Sequence, residues 1–76
     1  MIFVRIERQG DEYRVGVGSA VRFEELKGVK TIYIDGEDAS GETWTLAFLL
    51  ASEIYQDGDT VFIRTITDLI AELKHH

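Results

Sequence analysis

The chain has 76 residues with no Cys and a formal net charge of −6, which bounds it to one small domain with a modest core and excludes disulfides, thiolate metal sites and a cysteine nucleophile. The charge is uneven: residues 1–30 carry six Lys/Arg against five acids (+1), and residues 31–76 carry two against nine (−7). An acidic domain of this kind is repelled by phosphate backbones, so nucleic acid is an unfavourable partner and a basic protein a favourable one.

Taken in chain order, Ile2, Val4 and Ile6 alternate with Phe3, Arg5 and Glu7, the period-2 signature of a half-buried strand. Gln9-Gly10-Asp11 is turn chemistry, and Tyr13, Val15 and Val17 resume the alternation, so residues 1–18 read as a β-hairpin. Gly16, Gly18 and Ser19 thin the end of its second strand, as expected at a bulge or a close backbone approach. Phe23 to Lys27 read as one helical turn stopped by Gly28. Val29 to Asp35 read as a strand with Ile32 and Ile34 on one face and Thr31 and Tyr33 on the other.

Residues 42–47 alternate in a way that predicts a strand paired back onto residues 30–36. Leu46, Leu49, Leu50 and Ile54 also fit helical spacing, so a short helical segment is expected to follow, up to Tyr55. Asp57-Gly58-Asp59 is a turn, and Thr60 to Thr65 is a strand rich in β-branched residues. Thr67 as N-cap, Asp68 in the first turn and the stripe Leu69, Ile70, Leu73 predict a C-terminal helix. The expectation is an α+β fold: a mostly antiparallel sheet of about five or six strands with a C-terminal helix, in a single domain over residues 1–76.

Chemistry is concentrated in Asp35-Gly36-Glu37-Asp38-Ala39-Ser40-Gly41-Glu42, where four carboxylates fall within eight residues. Hard oxygen ligands at loop spacing suit Ca²⁺ or another divalent cation, so Asp35, Glu37, Asp38 and Glu42 are candidate metal ligands. Asp57 and Asp59 would join them if the two turns converge. The pattern is not an EF-hand: counting from Asp35, the fifth position is Ala39 and the twelfth is Leu46, where a bidentate acid is required. A glycine-bearing acidic loop also serves simply to turn the chain between strands. Gly16-Val17-Gly18 lacks the third glycine of a dinucleotide fingerprint, with Val21 in its place.

Catalysis is not expected. Ser19, Ser40 and Ser52 have no interior His to act as base, since His75 and His76 close the chain, and paired carboxylates need a walled pocket to separate their pKa values. The longest apolar run, Leu46 to Ala51, falls far short of the roughly 20 residues that span a bilayer. Arg5 and Glu7 interrupt the apolar start, unlike a signal-peptide core. A cytoplasmic protein without membrane partners is the expectation. The absence of Asn and the single Met lean towards a thermophile.

Met1-Ile2-Phe3-Val4-Arg5-Ile6-Glu7-Arg8, the Asp35–Glu42 loop and the closing Asp68-Leu69-Ile70-Ala71-Glu72-Leu73 together resemble in layout a group of small acidic proteins of methanogenic archaea. The resemblance implies a mostly antiparallel sheet with one helix and calcium binding, and it assigns no individual ligand. Two functions are therefore expected to compete: a non-enzymatic Ca²⁺-binding domain, and a protein-interaction module with an acidic face for a basic partner.

Overall fold

A computed structural model describes residues 1–19, 21–66 and 70–73, the last four by their backbone. The first two strands, β1 (Ile2–Gln9) and β2 (Glu12–Ser19), form the expected hairpin, with Gln9 opposite Glu12 across a two-residue turn. Gly10 takes the first turn position at φ +65°, a conformation that suits glycine. Next, β3 (Arg22–Val29) pairs antiparallel with β2. Gly18 has no room for a side chain here, because a Cβ would run into the Arg22 carbonyl. The thinning of β2 is thus a close backbone approach.

After Lys30 the chain re-enters the sheet as β4 (Thr31–Ile34), turns at Asp35-Gly36, and pairs β5 (Glu37–Asp38) back onto β4. A 3₁₀ turn, Ala39–Gly41, leads into the long β6 (Trp44–Asp57), followed by β7 (Thr60–Thr65) and β8 (Ile70–Leu73). The sheet order is β3-β2-β1-β6-β7-β4-β5, and β4 and β7 are its one parallel pair among the described residues. β1 lies along one edge of β6, while β7 and then β8 follow in succession along the other.

β3 and β4 sit at or near opposite ends of that path yet are separated in the chain by Lys30 alone. The sheet therefore curls back on itself. The Asp59 carbonyl accepts hydrogen bonds from Lys30 N (2.8 Å) and Thr31 N (3.1 Å) at the junction, and the Gln56 side-chain amide donates to the Lys27 carbonyl at 2.8 Å. With β3 and β4 counted as one bent strand, the neighbours run β6-β1-β2-β3, the 4-1-2-3 order of a Greek key. The parallel β4–β7 contact completes a five-stranded, partly open Greek-key barrel, the architecture of the OB-fold.

Inward-facing Val4, Ile6, Val15, Val29, Ile32, Ala47, Leu49, Ala51, Val61 and Ile63 fill the barrel, and Tyr13, Trp44 and Ala39 close one end. Arg8 continues the inward face of β1 into that end. Its guanidinium lies 5.2 Å from the Tyr13 ring centre and 5.3 Å from that of Trp44, a cation–π contact with both of these mutually tilted rings. It donates to the Ser40 and Ala39 carbonyls at 3.1 and 3.2 Å. These bonds fasten the 3₁₀ turn over the barrel mouth.

Several expectations are corrected. The fold is nearly all β, not α+β. Residues 23–28 belong to strand β3 rather than a helical turn, because Leu26 and Val29 pack inward from an otherwise charged edge. Residues 44–57 are a single strand with no helical segment, paired with β1, β7 and β8 instead of residues 30–36. Residues 70–73 are β8, not a C-terminal helix; pairing against β6 prevails over the apolar spacing that suggested one. Thr67 and Asp68, the expected helix start, lie outside the described residues.

The reason β6 misleads is geometric. A straight strand of its 14 residues would span roughly 45 Å, longer than the 33 Å maximum extent of the molecule. Irregularities between Trp44 and Leu46 and between Ala51 and Glu53 bend it, and each reverses which residues face inward. Trp44, Ala47, Leu49 and Ala51 are consequently buried while Phe48 is exposed. Among the described residues no helix is long and apolar enough to cross a membrane.

Candidate functional site

The outer face of the barrel carries a row of three aromatic rings. Tyr33 on β4 is in register with Phe62 on β7, and Phe62 with Tyr55 on β6. Alternation explains why they point outward: their chain neighbours Ile32, Val61 and Ile63 are buried in the core, and Ile34 and Ile54 pack against it. Ring centres are 5.4 Å apart for Tyr33–Phe62 and 5.0 Å for Tyr55–Phe62, with interplanar angles of 20° and 21°. These spacings match that between neighbouring strands. The rings stand side by side, faces together, so Phe62 is covered on both faces. Tyr55 ends the row and is 55% exposed.

Charged and hydroxyl groups border the row on both sides. Thr60 on β7 and Asp57 on β6 are paired on one side, and Arg64 and Glu53 on the other. Asp35 follows β4 at that second border. The Glu53 carboxylate stands 3.9 Å from the Arg64 guanidinium, an ion pair too long for a hydrogen bond. A shallow depression of about 360 Å³ runs over this surface, lined by Tyr33, Tyr55, Phe62, Asp35, Glu53 and Arg64 among others.

Asp35 is committed to the fold. It adopts φ +51°, the left-handed region, which Asp tolerates better than most residues. Its Oδ2 accepts from the Thr65 hydroxyl at 2.5 Å and its Oδ1 from the Thr65 backbone N–H at 2.9 Å. Those two bonds, the hydroxyl foremost, hold its carboxyl below the usual aspartate range, with help from the Arg64 charge. The turn that bears Asp35 is thereby tied to the end of β7.

The six residues expected to bind a cation are divided by the parallel β4–β7 pair. Asp57 and Asp59 lie where β7 begins, beside Thr31, whereas Asp35 and its loop lie where β4 ends, beside Ile63. Three strand steps, roughly 10 Å along the sheet, put the two turns at opposite ends of the pair. Asp35, Glu37, Asp38 and Glu42 do line one shallow depression of about 350 Å³. Within it, Asp38 caps the 3₁₀ turn by accepting from Ser40 N at 2.8 Å. At the far turn, the Asp59 carboxylate accepts from the Thr60 hydroxyl at 3.2 Å. Among the described residues, no three His, Cys, Asp or Glu side chains stand close enough to share a metal ion. Two of the loop carboxylates, Asp35 and Asp38, thus accept hydrogen bonds that hold their turns.

The aromatic row was only partly legible in sequence. Alternation puts Tyr33 on the face opposite Ile32 and Ile34, whereas helical spacing carries Tyr55 into the expected helical segment. Outward aromatics flanked by buried β-branched residues, as in Ile32-Tyr33-Ile34 and Val61-Phe62-Ile63, are the available signal. Their meeting depends on a parallel pairing across about thirty residues. No known family model, curated protein or solved structure matches this chain.

Proposed function

We propose that the protein is a non-enzymatic interaction module that docks a basic segment of a partner protein on the Tyr33–Phe62–Tyr55 row. The observation that carries this reading is the row itself. Three rings held in register on the outer face are not needed to fill a core that the opposite face already fills. Cross-strand aromatic pairs do stabilise a sheet, but a 55% exposed Tyr55 at the end of the row leaves a large amphipathic surface of the type enriched at protein interfaces. Asp35, Glu53 and Asp57 against Arg64 set the sign of the complementary partner.

Greek-key barrels of this class also present aromatics to single-stranded nucleic acid, a fold-level analogy only. Such sites combine free ring faces with a cationic groove. Here Phe62 is covered on both faces and acids outnumber bases, so a basic peptide fits better.

Titration of ¹⁵N-labelled protein with a short lysine- and arginine-containing peptide tests the reading. Shifts should centre on residues 33, 53, 55, 62 and 64, and affinity should fall as salt rises past about 0.1 M. Shifts centred elsewhere, or none at millimolar peptide, would overturn it.

A further inference from the structure

Resting on the interaction-module reading, the geometry points to an arginine-selective subsite formed by the outer face of Tyr55 and the Glu53 carboxylate. Tyr55 spends one ring face on Phe62 and terminates the row. Beyond Ala51, the β6 edge opposite β7 has no β1 partner, since the β1 register stops at Ile2–Ala51. Among the described residues, the second face of the Tyr55 ring therefore borders an uncovered part of the sheet. Glu53, two residues back on the same side of β6, is 64% exposed at its side chain, and its one ion-pair partner among the described residues, Arg64, is held at 3.9 Å.

Two residues along a strand cover roughly 6.6 Å. A planar guanidinium laid on the Tyr55 ring extends its N–H edge sideways across that gap, so it can stack and reach a carboxylate together. A lysine ammonium is a compact, strongly hydrated point charge and satisfies one of the two groups at a time. The barrel makes the same use of arginine internally, where Arg8 lies against two rings while its N–H groups reach two carbonyl oxygens. Arg64 is the native competitor for Glu53, and a ligand arginine displaces it from a contact that lacks a hydrogen bond.

The test compares two Gly/Ser-spaced peptides of equal charge, one carrying arginine and the other lysine at the same positions. The arginine peptide is expected to bind roughly three- to tenfold more tightly, from stacking plus a charge-assisted hydrogen bond. Tyr55→Leu should bring it down to the lysine peptide's affinity, and Glu53→Gln should weaken both peptides, arginine more. Arg64→Gln should tighten the arginine peptide by freeing Glu53. Both Tyr55 and Glu53 are exposed, and the dispersion of each variant's ¹⁵N spectrum reports whether it is folded. Equal affinities in the wild type, or an arginine preference that survives in both Tyr55→Leu and Glu53→Gln, would overturn the subsite and leave basic-segment docking standing. Failure of both peptides to bind would overturn docking itself.

Discussion

Asp35 is bonded through both carboxylate oxygens to Thr65, thirty residues later in the chain. The link joins the turn after β4 to the end of β7 and depends on ionisation. Since the fold lowers the Asp35 pKa, its stabilising contribution is complete above the ordinary aspartate value of about 3.9 and is lost as pH falls through the lowered value. Asp35→Asn tolerates the positive φ and keeps one acceptor. The urea midpoint of the variant should lie below that of wild type at neutral pH, with the gap closing as pH falls below the ordinary aspartate range. A gap that stays constant over the whole range would show that the charge of Asp35 adds nothing.

Gly18→Ala should be among the costliest single-methyl additions in the chain. The new methyl meets the Arg22 backbone, and relieving that contact requires β2 and β3 to separate. A loss of about 1–3 kcal/mol is expected, which for so small a domain lowers the melting temperature by at least about 4 °C. Gly41 has open space around its Cβ position and no positive φ, so Gly41→Ala should stay within about 0.5 kcal/mol. Equal melting temperatures for the two variants would contradict the close approach.

Arg8 closes one end of the barrel, so Arg8→Met should cost about 2–3 kcal/mol through the lost carbonyl bonds, despite keeping an apolar stem against the rings. Arg8→Lys should recover only part of this, because an ammonium lacks the planar fork. The single Trp in the chain is Trp44, 2% exposed beneath that guanidinium. Its fluorescence should therefore report the substitution directly. An unchanged emission spectrum in Arg8→Met would show that the stacking is absent in solution.

Calcium should act here as an ordinary electrolyte. Differential scanning fluorimetry in CaCl₂ and in NaCl at matched ionic strength should give equal upward shifts, both arising from screening of the −6 net charge. A shift specific to calcium that disappears in Glu37→Gln/Glu42→Gln would establish a cation site despite the separation of the two acidic turns.

The hairpin of residues 2–19 was legible because Val4, Ile6, Tyr13 and Val15 keep strict alternation on either side of Gly10-Asp11. Thr60 to Thr65 was legible from its β-branched residues. Strand β3 was not, because an edge strand with most side chains exposed has little pressure to alternate. In β6 the two irregularities overlay two phases of alternation, and the sum imitates the spacing of a helix at Leu46, Leu49, Leu50 and Ile54. In the acidic loop, the bonding of individual carboxylates is not legible. Composition reports how many carboxylates a turn holds, whereas Asp35 and Asp38 are defined by the N–H and hydroxyl groups they accept from.

The placement of β6 also has a temporal consequence. β1 residues 2–7 pair with residues 46–51, some 39 to 49 positions later, so the first strand waits for two-thirds of the chain before gaining its second neighbour. At a synthesis rate of about 5–20 residues per second, the β1–β2 hairpin spends seconds on the ribosome with one edge open. Distant pairings of this kind also slow refolding, which for sheet proteins rich in them falls in the range of milliseconds to seconds. Arg5 and Glu7, facing outward along that waiting strand and paired at 3.2 Å, place opposite charges where a second nascent chain would otherwise add an apolar edge.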